Sequence, residues 1–222
     1  MSTSFQVYYF PIQGRAEPIR LLLALAGADW DNKFPTDWPS EKAGTPMGQL
    51  PVLIEKSADG SDTVIPQSHT IMRYVARKFG FDGSNDRERT SLDAIYESFV
   101  DLIAHVNKHI VEPVRSKAPK DQADQLRATF FSDVLPRFVA LQEKHLSRNG
   151  NNGHFVGGRV SYVDVIAYFY YARINFEQAD ALNERNAPAW TKLYRAIDQN
   201  GRVQAYLKSP KRPGVYPPGM GR

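Results

Sequence analysis

The sequence contains no cysteine among its 222 residues. This absence excludes disulfide bonds, thiolate metal sites, cysteine nucleophiles and Cys-x-x-Cys redox chemistry. It is compatible with a reducing compartment but does not require one.

Long apolar runs are also missing. No window approaches 18 consecutive apolar residues, the length that indicates a transmembrane helix. The first ten residues, MSTSFQVYYF, lack the charged and apolar regions of a secretory signal. We therefore expect no contact with a membrane and a cytoplasmic location.

Charge is not concentrated in one region. Lys and Arg number 28 against 24 Asp and Glu, which gives a net charge of +4, and the only dense basic run is KSPKRPG near the C-terminus. Nucleic-acid-binding proteins usually cluster their basic residues on one element. The sequence argues against a nucleic-acid partner and suits a small anionic ligand.

Residues 1–79 alternate between strand and helix patterns. A helix is predicted over 16–27, since Pro18 suits its first turn and Gly27 its C-terminal cap. The predicted order is a strand at 5–10, that helix, a strand at 29–34, a loop-like stretch at 35–46, strands at 50–56 and 62–67, and a helix at 68–80. This is the β-α-β-β-β-α order of a small α/β domain.

Residues 80–86 resemble a linker, and the chain after them is helical in pattern. Apolar residues spaced by three and four predict a long helix over 87–112. A second is predicted over 120–147 with a kink at Pro136. The apolar stretch VSYVDVIAYFYYARI predicts a central buried helix that opens with a Ser161–Asp164 capping box. Two shorter helices begin near residues 188 and 201. The fold class is α/β plus all-α, with predicted domains at 1–79 and 87–222.

Five stretches, in order, carry a resemblance to a known family. They are VYYFPIQGRAEPIRLLL, DWPSEK, GQLPVL, PQSHTIMRYVAR and VSYVDVIAYF. Together they resemble the cytosolic glutathione transferases, on the sigma/pi side of that superfamily, over nearly the whole chain. The resemblance implies a thioredoxin-like N-terminal domain that binds glutathione, and a helical domain that contributes an electrophile pocket.

The resemblance also explains a proline before a buried strand. Proline cannot donate to a strand ladder, yet Pro51 directly precedes Val52. The family has a cis-proline here, which would turn the N–H and C=O of Leu50 outward to pair with the extended glutathione peptide. The alternative is an ordinary trans proline at a strand start.

Glutathione brings its own sulfur, so the enzyme needs no cysteine. A free thiol has a pKa of about 8.5 and is mostly protonated at neutral pH, and a tyrosine hydroxyl can stabilise the thiolate as a donor. The family places this tyrosine just before a phenylalanine, which selects Tyr9 before Phe10. Tyr8 is the competitor, although neighbouring strand side chains point to opposite faces.

The remaining glutathione contacts follow from the matched motifs. Arg15 is expected near the sulfur, and Gln67 and Ser68 at a helix N-terminus suit the γ-glutamyl carboxylate. The glycyl end and the backbone clamp would involve Trp38, Lys42, Gln49, Leu50 and Pro51. The alternatives are solvated surface charges at Arg15 and Lys42, and simple helix capping by Gln67 and Ser68.

The electrophile pocket is less readable, because it varies most within the family. Its candidates are Phe10, Ile12, His105, Val111 and Tyr216. His105 and His109 have the i, i+4 spacing of a metal pair, but no third ligand is visible nearby. We expect no metal and no cofactor other than glutathione as co-substrate.

Oligomeric state and activity also rest on the resemblance. It implies a homodimer in which Asp101 reaches the γ-glutamyl ammonium of the other subunit's glutathione; a solvated helix face is the alternative. Met47 replaces the aromatic residue that locks alpha, mu and pi subunits together, so we expect a more polar interface. Three functions compete: conjugation of glutathione to small hydrophobic electrophiles, a sigma-type isomerase or peroxidase activity, and a non-catalytic carrier or structural role like that of the lens crystallins.

Overall fold

A computed structural model describes residues 3–57 and 59–216. Within them the chain forms two compact units. The first contains the described residues up to Asp82 together with those from Ile197 onward, and the second contains Gly83–Ala196. The predicted domain boundaries at residues 79 and 87 stay a prediction. The described residues from Ile197 onward therefore belong to the first unit. They were predicted to belong to the helical domain at 87–222.

The first unit is built on a four-stranded mixed sheet. Its elements are β1 Ser4–Tyr8, α1 Glu17–Ala26, β2 Trp30–Lys33, α2 Trp38–Glu41, β3 Val52–Lys56, β4 Asp62–Pro66, α3 Ser68–Phe79 and α10 Gly201–Leu207. The strand order is β2-β1-β3-β4, with β1 parallel to β2 and the other neighbours antiparallel. The predicted fold class is confirmed. The predicted succession of four strands and the helices α1 and α3 is also found, with α2 as an additional short helix between β2 and β3.

Helix α1 packs against both α3 and α10. Its cap is the one that the sequence indicates: Gly27 adopts φ +68°, and its N–H bonds to the carbonyls of Leu23 and Ala24. Such a left-handed cap strongly favours glycine, which has no Cβ to clash. Ile71 and Val75 of α3 are fully buried.

The stretch 35–46 is not a plain loop, so that prediction was wrong for part of it. Trp38–Glu41 form α2, and a 3-10 turn follows at Lys42–Gly44. Proline is tolerated in a first helical turn because its missing N–H would be unpaired there anyway. The Glu41 carboxylate accepts hydrogen bonds from the N–H groups of Thr36 and Asp37. This folds the short segment back on itself.

The second unit is helical. Its elements are α4 Asp86–Val106, α5 Glu112–Arg115, α6 Lys120–Thr129, α7 Leu135–Arg148, α8 Tyr162–Glu177 and α9 Pro188–Asp198, the last of which crosses the division. π-Helical turns at Asn107–Val111 and Phe130–Val134 interrupt the two longest predicted helices. The second turn ends just before Pro136, where the kink was expected. Helix α8 is buried along almost its whole length and opens with the predicted capping box.

None of the helices in the described part of the chain is both long and apolar enough to cross a bilayer. The predicted absence of a membrane contact and the cytoplasmic location stay predictions.

Candidate active site

A cleft lies in the first unit between the segment that precedes β3 and the start of α3. The space between its walls is about 250 Å³, part of which is open solvent. Its lining residues are Arg15, Met47, Gln49, Leu50, Pro51, Pro66, Gln67 and Ser68. Six of these eight were predicted as glutathione contacts, and the structure brings them together. Met47 and Pro66 were not predicted to line it.

The backbone at the floor of the cleft has two distinctive features. The Leu50–Pro51 peptide bond is cis. The ladder between β3 and its neighbours begins only at Val52. The Leu50 backbone is therefore outside the paired part of the sheet, beside the cleft.

The first turn of α3 supplies polar groups to one end of the cleft. Gln67 is the N-cap residue, with φ +72° and no side-chain capping hydrogen bond. A non-glycine residue in this backbone region is uncommon and is typical of functional sites. The Gln67 side chain points back across the cleft to the sulfur of Met47, at 3.1 Å. The Gln67 side chain does not cap this twelve-residue helix, and the partial positive charge of a helix N-terminus favours an anion.

Tyr9 lies next to this cleft, although it is not one of its lining residues. Its backbone N–H extends the pairing of β1 with β2 by bonding to the Lys33 carbonyl, and its side chain is 8% exposed. The Tyr9 hydroxyl accepts a hydrogen bond from the N–H of Arg15 at 3.4 Å. Among the described residues, none accepts a hydrogen bond from that hydroxyl. Its proton is thus available to a ligand.

Gly14 allows this arrangement. It has φ +44°, and a Cβ at this position would lie 2.7 Å from the Tyr9 hydroxyl oxygen. Gly14 was not predicted as a site residue. The only signal in the sequence was a glycine between the predicted strand at 5–10 and the predicted helix at 16–27.

Tyr8 is committed elsewhere. Its hydroxyl donates to the Glu41 carboxylate. Burial, together with the hydrogen bond and the charge of Glu41, raises the pKa of Tyr8 to about 12. The Glu41 carboxylate also accepts from Asp37 and Thr36, and these bonds lower its pKa to about 2. Tyr8 therefore ties β1 to α2 and has no donor left for a sulfur atom.

Two cations near the cleft are unpaired. Within residues 3–57 and 59–216, no acidic side chain forms an ion pair with the Arg15 guanidinium or the Lys42 ammonium. Both residues are exposed. Arg15 lines the cleft. Cε of Lys42 lies 3.6 Å from the position that a Cβ on Gly48 would occupy. These charges favour an anionic ligand.

Aromatic rings continue from Tyr9. The ring of Phe10 meets those of Tyr9 and Trp38 edge to face, each at 5.6 Å between centroids. Ile12 forms an isolated parallel β-bridge with Gly214. Tyr216, which is half-buried, lies two residues after Gly214 in the chain. Phe10 thus contacts Tyr9, and Ile12 pairs with the segment that carries Tyr216.

Asp101, His105 and Val111 belong to the second unit, so their place in the site stays a prediction. Asp101 and His105 are exposed on α4. His105 and His109 stack at 5.6 Å, and Nδ1 of His109 is 2.9 Å from the His105 carbonyl oxygen. No group of three His, Asp or Glu side chains that could hold a metal ion occurs in the described ranges.

Comparison with protein-family models gives two matches. Residues 4–77 match the glutathione S-transferase N-terminal domain, and residues 90–210 match the glutathione S-transferase C-terminal domain. The two matches follow one another along the chain and together cover most of it.

Individual relatives agree with the family models. “Probable glutathione S-transferase 6” of Caenorhabditis elegans is 34% identical over 206 residues, which is 91% of this chain and 95% of that protein. S-crystallin SL11 of Nototodarus sloanii is 29% identical, over 92% of this chain and 96% of that protein. The solved structure of the Fasciola hepatica sigma class GST superposes with a TM-score of 0.82 at 25% identity, covering 96% of this chain and 99% of that one.

Proposed function

This chain belongs to the glutathione S-transferase family, and we propose that it uses the Tyr9 hydroxyl to stabilise the glutathione thiolate for attack on small hydrophobic electrophiles. In this reaction the thiol loses its proton and the sulfur forms a bond to an electrophilic carbon. The leaving group departs with the electron pair of the bond that breaks. The tyrosine donates a hydrogen bond and keeps its own proton.

One observation carries the proposal. The Tyr9 hydroxyl has an unused proton and lies against the backbone of Arg15, which lines the cleft. A preorganised donor of this kind stabilises charge that develops on a reacting atom. The neighbouring Tyr8 hydroxyl is occupied by Glu41 and supports the choice of Tyr9.

The ends of glutathione then find matching groups. We assign the γ-glutamyl carboxylate to the start of α3, where Gln67 and Ser68 lie, and the cysteinyl backbone to Leu50. Lys42 and Trp38 would hold the glycyl carboxylate. In a homodimer, Asp101 of the second subunit would pair with the γ-glutamyl ammonium. The hydrophobic electrophile would lie against Phe10, Ile12 and Tyr216, with His105 and Val111 completing its pocket.

The experiment compares turnover of a chlorinated nitrobenzene, an endoperoxide and a hydroperoxide by the wild-type protein with that by two variants. Tyr9→Phe removes the proposed donor and keeps the ring, so the rate should fall roughly 10²-fold while glutathione affinity changes little. Tyr8→Phe is the matched control and should retain the rate. A larger loss in Tyr8→Phe would contradict the assignment, and the preferred substrate separates conjugation from isomerase or peroxidase activity.

A second candidate function is non-catalytic. The similarity to S-crystallin SL11 favours it, since that relative covers nearly the whole chain. Glutathione binding by calorimetry without turnover of any of the three substrates would support this role over catalysis.

A further inference from the structure

Four side chains in the first unit form what we term the buried cluster: Glu17, Arg20, Tyr206 and Arg212. Glu17 and Arg20 on α1 are fully buried. The Glu17 carboxylate accepts hydrogen bonds from the Tyr206 hydroxyl at 2.9 Å and from Nε of Arg212 at 3.2 Å. It pairs with Nη1 of Arg20 at 3.4 Å. Side chains about 190 residues apart in sequence thus share one carboxylate.

The buried cluster closes into a ring of hydrogen bonds. Nε of Arg20 donates to the Asn32 side chain at 2.8 Å, and the amide of Asn32 donates to the carbonyl of Lys211 at 2.8 Å. Lys211 is the chain neighbour of Arg212. The C-terminal segment is therefore fixed to α1 and to β2 at the same time.

The ring also holds the turn that connects Tyr9 with Arg15. Nη1 of Arg20 donates to the carbonyl of Ile12 at 2.9 Å and to that of Gln13 at 3.3 Å. The C-terminal segment binds the same turn directly, since the backbone N–H of Gln13 donates to the Gly214 carbonyl at 2.8 Å. Arg20 thus holds the turn at the carbonyls of Ile12 and Gln13, and the C-terminal segment holds it at the N–H of Gln13.

Tyr9 lies against the buried cluster as well. The guanidinium carbon of Arg20 is 5.9 Å from the centre of the Tyr9 ring, within the range of a cation–π contact. The ring therefore has Gly14 at its hydroxyl end and Arg20 over its face.

The charges of the buried cluster are costly to bury. Burial raises the pKa of the Glu17 carboxyl, and its contacts with Arg20, Tyr206 and Arg212 act against that rise. Buried ion pairs add little net stability, but removal of one partner leaves an uncompensated charge. Their contribution is to fix a geometry, and the geometry fixed here is that of the turn beside Tyr9.

We propose that the buried cluster is a positioning device for the thiolate site, in which Arg212 and Tyr206 hold the Tyr9 hydroxyl in place from the C-terminal segment. These two residues touch no substrate and act through Glu17 and Arg20. The role in catalysis rests on the proposed function. The positioning of Tyr9 itself does not, and it is tested first without glutathione.

The first test uses Arg212→Gln, which removes the charge and keeps part of the side-chain length. Protein labelled with ¹³C in its tyrosine rings is observed by NMR without ligand, and the Tyr9 signal is assigned from its loss in Tyr9→Phe. Arg212→Gln should shift the Tyr9 signal, because the turn beside its hydroxyl loses one of its contacts. Lys208→Gln is the control: it removes a charge of the same sign from an exposed residue of the same segment that has no ion pair with any described residue. It should leave the Tyr9 signal unchanged.

Tyr206→Phe is the second variant, because it removes one hydrogen bond to Glu17 without changing a charge. It should move the Tyr9 signal in the same direction by less. Arg212→Lys keeps the charge and should restore much of the wild-type signal. If Arg212→Gln folds poorly, the comparison of Tyr206→Phe with wild type decides the question.

The role in catalysis is tested by measuring the pKa of the thiol of bound glutathione, which is followed by the ultraviolet absorbance of the thiolate. In Arg212→Gln its pKa should rise by about one pH unit, which lowers kcat roughly tenfold below that pKa, while KM for glutathione changes little. At high pH the rate should return to that of wild type.

The outcomes separate the two hypotheses. An unchanged Tyr9 signal in both Arg212→Gln and Tyr206→Phe would overturn the positioning role, whatever the activity. A rate loss that is equal at all pH values and follows thermal stability alone would show a merely structural role. A wild-type protein that neither ionises nor turns over glutathione would refute the proposed function, while the Tyr9 signal of the variants would still decide on the positioning.

Discussion

Gly14→Ala is the sharpest probe of where the Tyr9 hydroxyl must lie. The new Cβ would lie 2.7 Å from the Tyr9 hydroxyl oxygen and 2.9 Å from Cε1 of the same ring. Both distances are shorter than van der Waals contact, so the ring must move. The same substitution places a side chain at φ +44°, in the left-handed region where a Cβ costs about 1–2 kcal/mol.

The two effects give separate magnitudes. The backbone cost of about 1–2 kcal/mol should lower the melting temperature by roughly 2–8 °C for a chain of this size. Loss of a whole preorganised donor lowers a rate roughly 10²- to 10³-fold. Displacement of the donor removes part of that benefit, so we expect kcat/KM to fall about 10- to 100-fold.

The assay is turnover of the chlorinated nitrobenzene together with thermal unfolding. Gly80→Ala is the matched control, because Gly80 has φ +77° but nothing within 4 Å of its Cβ position. It should lose a similar amount of stability and keep its rate. In a Tyr9→Phe background, Gly14→Ala should cause little further loss of rate, because the hydroxyl that it displaces is already absent.

Two results would refute the reasoning. One is a wild-type rate in Gly14→Ala, which would show that the hydroxyl need not stay where the structure places it. The other is an equal loss of rate in Gly80→Ala, which would trace the effect to stability rather than to the position of Tyr9.

Three further predictions concern charges around the site. Arg15→Gln should weaken glutathione binding roughly 10- to 100-fold in calorimetry, as expected for one charge-assisted hydrogen bond; unchanged affinity would make Arg15 a solvated charge. Hydrogen bonds from Asp37, Tyr8 and Thr36 lower the pKa of Glu41 to about 2 from its usual 4.5, so its stabilisation of α2 should be present above pH 4.5 and lost as the pH falls towards 2. Glu41→Gln should remove this step from an acid titration followed by tryptophan fluorescence, and a step of wild-type size would trace it to another carboxyl group. Mixing Tyr9→Phe subunits with Asp101→Ala subunits should raise activity at low glutathione above the parental average, and no gain would exclude action of Asp101 across a dimer.

Local pattern was sufficient for most strands and helices of this protein. The strand and helix order, the cap at Gly27 and the capping box of α8 depend on residues a few positions apart, and periodicity or spacing encodes them. The proline before β3 was also readable, because its chemistry conflicts with a strand interior. Loop 35–46 was misjudged, because its helix depends on a Glu41 side chain that folds back on Thr36 and Asp37.

The resemblance to a family identified most of the cleft, but not what holds it. From the sequence alone, both Tyr8 and Tyr9 were candidate donors. The alternation of side chains along a strand places them on opposite faces but does not determine which face lies towards the ligand. The choice is supported by Glu41, which lies 33 positions from Tyr8 in the chain and occupies its hydroxyl. No local pattern records such a pairing.

The sequence by itself thus determined most of the strands and helices, because those preferences arise from neighbours along the chain. Only the tertiary structure decided that α10 packs on α1, and that Arg212 reaches Glu17 across 195 positions. Contacts of that separation depend on which surfaces meet after the helices have formed. The physical reason is that a buried charge pairs with whichever group lies next to it in the folded protein. The linear order of residues does not specify which groups become neighbours in this way.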